Sequence, residues 1–160
     1  MATLNVTITE ELTLNGVDRG SKNNLSVGSV TQVLSRMVDL PANGGSGTTD
    51  TTVANFRTLV TTADSALKDD DVKYVRMTNL DSSNDITLSL QLAANGGADA
   101  STTASVLLPA GQTFILGKAV GVAAVDDDAA GAVTSLVDLE SVIAVNGNNA
   151  IVSLEIFIAS

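Results

Sequence analysis

A chain of 160 residues with 18 acidic and 8 basic side chains, no His and no Cys rules out several functions before any element is placed. A formal charge of −10 opposes nucleic-acid phosphates, and the Lys and Arg residues are scattered singly, so no nucleic-acid surface is expected. Without His or Cys, the commonest general base, the thiol nucleophile and the commonest transition-metal ligands are missing, and neither a Ser-His-Asp triad nor a disulfide can be built.

From Leu4 the apolar side chains fall on every second position, at Leu4, Val6, Ile8, Leu12 and Leu14, with polar residues between them. That period is the mark of a half-buried strand. Glu10 interrupts the apolar phase. A single strand over 4–14 would run about 35 Å, against a usual 17–20 Å. The pattern therefore predicts two stretches, 3–8 and 11–15, with Glu10 at a bend, a bulge or a change of sheet. The alternative makes Glu10 an inward-facing charge on an edge strand, which discourages wrong pairing and meets an arginine of a neighbouring copy in an assembly.

GVDRGSKNN (16–24) has turn chemistry, and Asp18-Arg19-Gly20 within it reads as turn residues. Ser29 and Gln32 have the spacing of a capping box, which predicts a short helical turn over about 30–35. The alternative is strand throughout, because Val27, Val30, Val33 and Val38 favour β structure. Residues 36–40 read as extended, since Pro41 pushes Leu40 toward β geometry. The Gly, Ser and Thr of 42–52 predict an exposed loop, followed by strand at 53–60, a polar connection at 61–71 and strand at 72–80.

Residues 81–85 predict a hairpin turn of short polar side chains, leading into the unbroken alternation of 86–92. A small-residue loop (93–101), extended segments at 105–108 and 112–116, and a Pro109-Ala-Gly111 turn between them come next. Residues 117–135 read as a long loop with one weak strand near 119–124. Strands at 139–145 and 151–159, joined by Asn146-Gly-Asn-Asn149, predict a closing hairpin.

Nine or ten short strands predict an all-β chain: a two-sheet antiparallel β-sandwich, jelly-roll-like, with at most one short helix, forming a single domain over 1–160. Apolar residues make up 44% of the chain, enough for a core, and that core must be aliphatic because the aromatics are only Phe56, Tyr74, Phe114 and Phe157. Tyr74 and Phe114 are expected inside it. No apolar run approaches the roughly 20 residues of a membrane helix, and the chain start lacks a signal-peptide pattern. No membrane association and synthesis in a cytoplasm are the expectations.

Carboxylates alone can support glycoside hydrolysis, but such sites usually add aromatic platforms, and no phosphate-binding Gly loop is present either. The expectation is no enzyme and no cofactor. Asp69, Asp70 and Asp71, with Asp126, Asp127 and Asp128, are weak candidates for a Ca²⁺ site. The competing reading is that both runs are solvated loop charges. Arg57 and Arg76 each interrupt a strand, either on a solvent face or paired with acids across a subunit contact. With Glu10 they form the set of interface candidates.

The opening MATLNVTITEELTLNGVDRG, the segment VTQVLSRMVDLP, the strand VKYVRMTNLDSSNDITLSLQL, the LPAGQTFILGKA turn and the closing LEIFIAS resemble small virion structural proteins of marine tailed phages. The resemblance implies a capsid decoration or accessory role in the virion, after synthesis in the host cytoplasm. It also implies a homo-oligomer that contacts other virion proteins such as the major capsid protein. Two other readings remain beside it. One is a self-assembling fibre or tube subunit whose terminal strands complete a neighbour's sheet. The other is a Ca²⁺- or glycan-binding β-sandwich module.

Overall fold

Two-residue alternation becomes two packed sheets in the computed structural model, which describes residues 1–45, 47–57, 67–93, 102–124 and 136–160. The strands are β1 (Ala2–Glu10), β2 (Thr13–Leu14), β3 (Val17–Asp18), β4 (Ser21–Val30), β5 (Val33–Leu40), β6 (Thr49–Arg57) and β7 (Leu67–Lys68). After a 3₁₀ turn at Asp69–Asp71 come β8 (Tyr74–Asn79), β9 (Ile86–Leu92), β10 (Thr102–Leu108), β11 (Thr113–Leu116), β12 (Leu139–Asn146) and β13 (Val152–Ala159).

One sheet has the order β11-β8-β13-β5 and the other β10-β9-β12-β6, extended at its edge by the short β7. Apart from the parallel contact of β6 with β7, every pairing is antiparallel. The chain crosses from sheet to sheet between β5 and β6, β7 and β8, β8 and β9, β10 and β11, β11 and β12, and β12 and β13. That is the winding of a jelly roll.

Between the sheets lies one aliphatic cluster. Ile86, Leu88, Leu90 and Leu92 of β9 meet Val152, Leu154, Ile156 and Ile158 of β13, with Met77, Val142 and Val53 among them. Arg36 lies on the inward phase of edge strand β5, and its guanidinium donates to the Val53 carbonyl, tying the sheets together at that margin. Phe114 is half-buried against the core, while Tyr74 belongs to a separate cluster on the outer face of the first sheet.

The turns at 81–85 and 146–149 do not make the expected hairpins. Each is an arch that carries the chain to the opposite sheet. A fully buried asparagine at the end of the preceding strand holds each arch. Asn79 Nδ2 donates to the Asn84 and Leu108 carbonyls at 2.8 and 3.3 Å, and its Oδ1 accepts from Asp81 N at 3.0 Å. Asn146 Nδ2 donates to the Pro41 and Ala150 carbonyls at 2.9 Å and reaches Leu40 O at 3.3 Å. These amides replace the ladder bonds that a tight hairpin would make. Asn148 joins the two arches by donating to the Asp85 carbonyl at 2.8 Å.

Asp81 organises the first arch. Its carboxylate accepts the backbone N–H groups of Ser83 and Asn84, both at 2.8 Å, and these bonds hold its pKa below the ordinary 3.8. A carboxyl with a depressed folded-state pKa contributes stability that is present above its unfolded value and is lost as pH falls through the folded one. Asp81→Asn should therefore flatten the acid limb of the stability profile, measured as the urea midpoint between about pH 5 and about pH 2. An unchanged acid limb would show that the arch gains nothing from the charge.

The first thirty residues depart most from expectation. Residues 16–24 are not one turn, and no helix follows at 30–35. Asn15 and Gly16, with φ of 53° and 76°, form a two-residue turn between β2 and β3. Positive φ at both central positions is what the twist of a hairpin favours. β4 then runs back along β1 in register from Glu10↔Ser21 to Leu4↔Val27. The product is a long two-stranded ribbon that, among the described residues, pairs with no strand of the sandwich. Ser29, the expected helix cap, has φ of 57° and lies in β4, just before the Thr31-Gln32 connection to β5.

The ribbon breaks at Glu11-Leu12 on one side and Arg19-Gly20 on the other. Arg19 N donates to the Leu12 carbonyl at 2.7 Å across this break. A Cβ at Gly20 would lie 2.2 Å from the Glu10 carbonyl oxygen, so only glycine fits there. Gly20→Ala should disorder the ribbon beyond Glu10 and leave the sandwich intact, which amide hydrogen exchange resolves: faster exchange over 11–20 with β8, β9 and β13 unchanged. Residues 58–60, the loop after Ala93, and Asp126–Asp128 lie outside the described residues.

Candidate interface between the ribbon and the sandwich

Alternation along β8 and β13 decides what the first sheet shows to the outside. Val75, Met77, Leu154, Ile156 and Ile158 point into the core, so Tyr74, Arg76, Glu155 and Phe157 occupy the opposite face. Tyr74 and Phe157 meet edge to face with ring centroids 6.1 Å apart. The root of the ribbon lies on them: Leu4, Val6 and Val27 join Phe157 around the buried Val30, Tyr74 and Ala159. Burial raises the Tyr74 phenol above its usual pKa, and the nearby Arg76 charge only partly offsets this. Tyr74 is a neutral group of the contact at any ordinary pH.

Past Val6 the contact opens into a groove of about 860 Å³ between ribbon and sheet. Ile8 and Glu10 line it from the ribbon, and Arg76, Phe157, Thr113 and Ile115 from the sheet. The Arg76 guanidinium makes a 2.7 Å ion pair with Glu155 and lies 5.8 Å from the centre of the Phe157 ring. Both partners are about one-third exposed, so the pair contributes at most about 1 kcal/mol and mainly fixes the arginine in place. Glu10 is exposed at the end of β1, and Ser21 Oγ donates to its carboxylate.

Two of the three interface candidates thus share one groove, although 66 positions separate Glu10 from Arg76 in the chain. Arg57 lies elsewhere, at the margin of the second sheet, where its backbone pairs with Lys68; its side chain lies outside the described residues.

Away from its seated root the ribbon carries its apolar side chains into solvent. Ile8 is 45% exposed, Leu25 47%, Val17 50%, and Leu12 and Leu14 55% each. Leu14 pairs across the ribbon with Val17, as Leu4 does with Val27 and Val6 with Leu25. Sequence reasoning found the β1 half of this element and missed β4, although the Asn15-Gly16 pair that closes it was present to be read.

The first Asp run does not gather its three carboxylates at one point. Asp69 is buried in the 3₁₀ turn and accepts from Asp70 N at 2.8 Å, while Asp70 lies 3.8 Å from the Lys68 ammonium. Asp126, Asp127 and Asp128 lie outside the described residues. A polar cleft of about 420 Å³ is lined by Asp69, Asp138, Glu140 and Asn55; Asp138 there accepts from Gly121 N at 2.7 Å. Among the described residues no three His, Cys, Asp or Glu side chains are grouped to hold a metal ion. No described helix is long and apolar enough to cross a membrane.

Comparison with protein-family models, curated proteins and solved structures finds no match to this chain.

Proposed function

We propose that this chain is a non-enzymatic structural subunit of a tailed-phage particle, a decoration protein seated on the capsid and made in the host cytoplasm. The observation that carries the reading is the ribbon: a jelly roll presents a two-stranded element whose apolar side chains beyond the root, Ile8, Leu12, Leu14, Val17 and Leu25, its own sandwich leaves exposed. Apolar side chains spread along such an element suit a broad docking surface better than a reaction centre. The acidic balance fits a subunit that must stay dispersed before assembly and is then drawn to a less acidic shell. On this reading the major capsid protein is the main partner, and copies of the chain associate with one another.

The test is quantitative mass spectrometry of purified particles from the source phage. The chain should be present at a fixed ratio to the major capsid protein. Its absence from particles, or a ratio that varies between preparations, would overturn the assignment.

A fibre or tube subunit built through terminal strands loses one of its two ends. β13 is already paired on both sides, with β5 and β8, and offers no free edge to a neighbour. Only the ribbon end remains for such an assembly.

A further inference from the structure

We propose that the ribbon tip, residues 11–20, docks into the groove between ribbon and sheet of a second copy of this chain. The groove is half-filled by design of the fold: its inner end is closed by Leu4, Val6 and Val27 on Tyr74 and Phe157, and its outer end is open between Ile8 and Ile115. What fits such a slot is already visible at its inner end. Leu4, Val6 and Val27 form the face that the ribbon lays along the sheet, Leu4 and Val27 as a cross-strand aliphatic pair. The tip offers the next pair of the same kind, Leu14 with Val17, together with Leu12, all at least half exposed.

The break at Glu11-Leu12 and Arg19-Gly20 separates this tip from the root. The root can therefore stay on its own sheet while the tip reaches another. Within reach of a second copy it would extend the first copy's aliphatic contact without a gap in its chemistry.

Both sides of the contact carry charges of both signs. The groove has one acid and one base at its sides, Glu10 and Arg76, and the tip carries Glu11 and Asp18 with Arg19. The contact is head-to-tail, tip into groove, and such contacts close into rings or run on as filaments according to the rotation between neighbours.

The inference goes beyond the proposed virion role and is tested on the purified full chain. Light scattering after size exclusion should give a mass that is a multiple of the 16.2 kDa monomer. Leu14→Lys on the tip and Ile115→Lys in the groove should each reduce it to the monomer. Both positions are partly exposed, so neither change burdens the core. Leu107→Lys, at a more exposed apolar residue on β10 of the other sheet, should leave the assembly unchanged. Mixing the Leu14→Lys and Ile115→Lys proteins should then yield pairs of two chains, because one retains an intact groove and the other an intact tip. A monomeric native chain, an assembly that survives Leu14→Lys, dissociation by Leu107→Lys, or no pairing in the mixture would each overturn the proposal.

Discussion

Asn146→Ala should lower the free energy of unfolding by about 3 kcal/mol, and the melting temperature by roughly 10 °C for a chain of this size. The amide is fully buried, and its two protons are shared among the Pro41, Ala150 and Leu40 carbonyls. Its oxygen accepts both the backbone and the side-chain N–H of Asn148 at 2.9 Å. Alanine removes all of these bonds and leaves carbonyls of the 41–48 connection and of the β12–β13 arch without donors. Each acceptor so stranded costs about 1–3 kcal/mol. Asn146→Asp is no rescue, since a carboxylate would face the same carbonyls with no proton to give. A loss below about 1 kcal/mol in urea unfolding would mean that water replaces the amide and the arch is not held from inside.

Ile156→Ala should cost a comparable 3–4 kcal/mol, by a different route. Ile156 is fully buried in β13, with Met77 of β8 on one side and Arg36 of β5 on the other. Its side chain enters the aliphatic layer between the sheets, where the ladders on both sides hold the strand and limit collapse into the space left behind. The cost is then the lost transfer free energy plus that of a residual cavity. Because Ile156 points away from the groove, the variant should keep the association of the native chain at temperatures below its melting point. Stability and assembly are separable in this fold, and loss of both together in Ile156→Ala would argue against that separation.

Strand content was legible where one face is dry and the other wet. Ile86–Leu92 alternates without a break, and its burial alternates just as strictly. β13 does the same over Val152–Ile158. β4 has no such contrast: most of Ser21–Val30 is exposed on both faces, so polar residues fill both phases and periodicity vanishes. The arches show a second limit. Turn chemistry at 81–85 and 146–149 reports that the chain reverses, but a reversal within a sheet and one between sheets use the same short polar residues. What separates them is a buried asparagine bonded to carbonyls as far away as Leu40, which no local pattern contains.

The groove was legible only in its parts. Glu10 and Arg76 each stand out as charges set against an apolar alternation, which marks them as unusual without saying that they meet. Their meeting depends on the ribbon folding back over the outer face of β8 and β13, a tertiary event that rests on Leu4, Val6 and Val27 finding Tyr74 and Phe157.

The position of β13 has a consequence in time. β5 is an edge strand whose sole partner among the described residues is β13, with Leu40 opposite Val152 and Val33 opposite Ala159. At 5–20 residues per second, the ribosome leaves β5 waiting roughly 10 s for that partner. Phe157 and Ala159, which seat the ribbon, arrive with it. A chain broken off before β13 therefore has neither a closed sandwich nor a ribbon seat. The groove is a surface that only finished copies possess, and an assembly built through it counts complete molecules and passes over fragments.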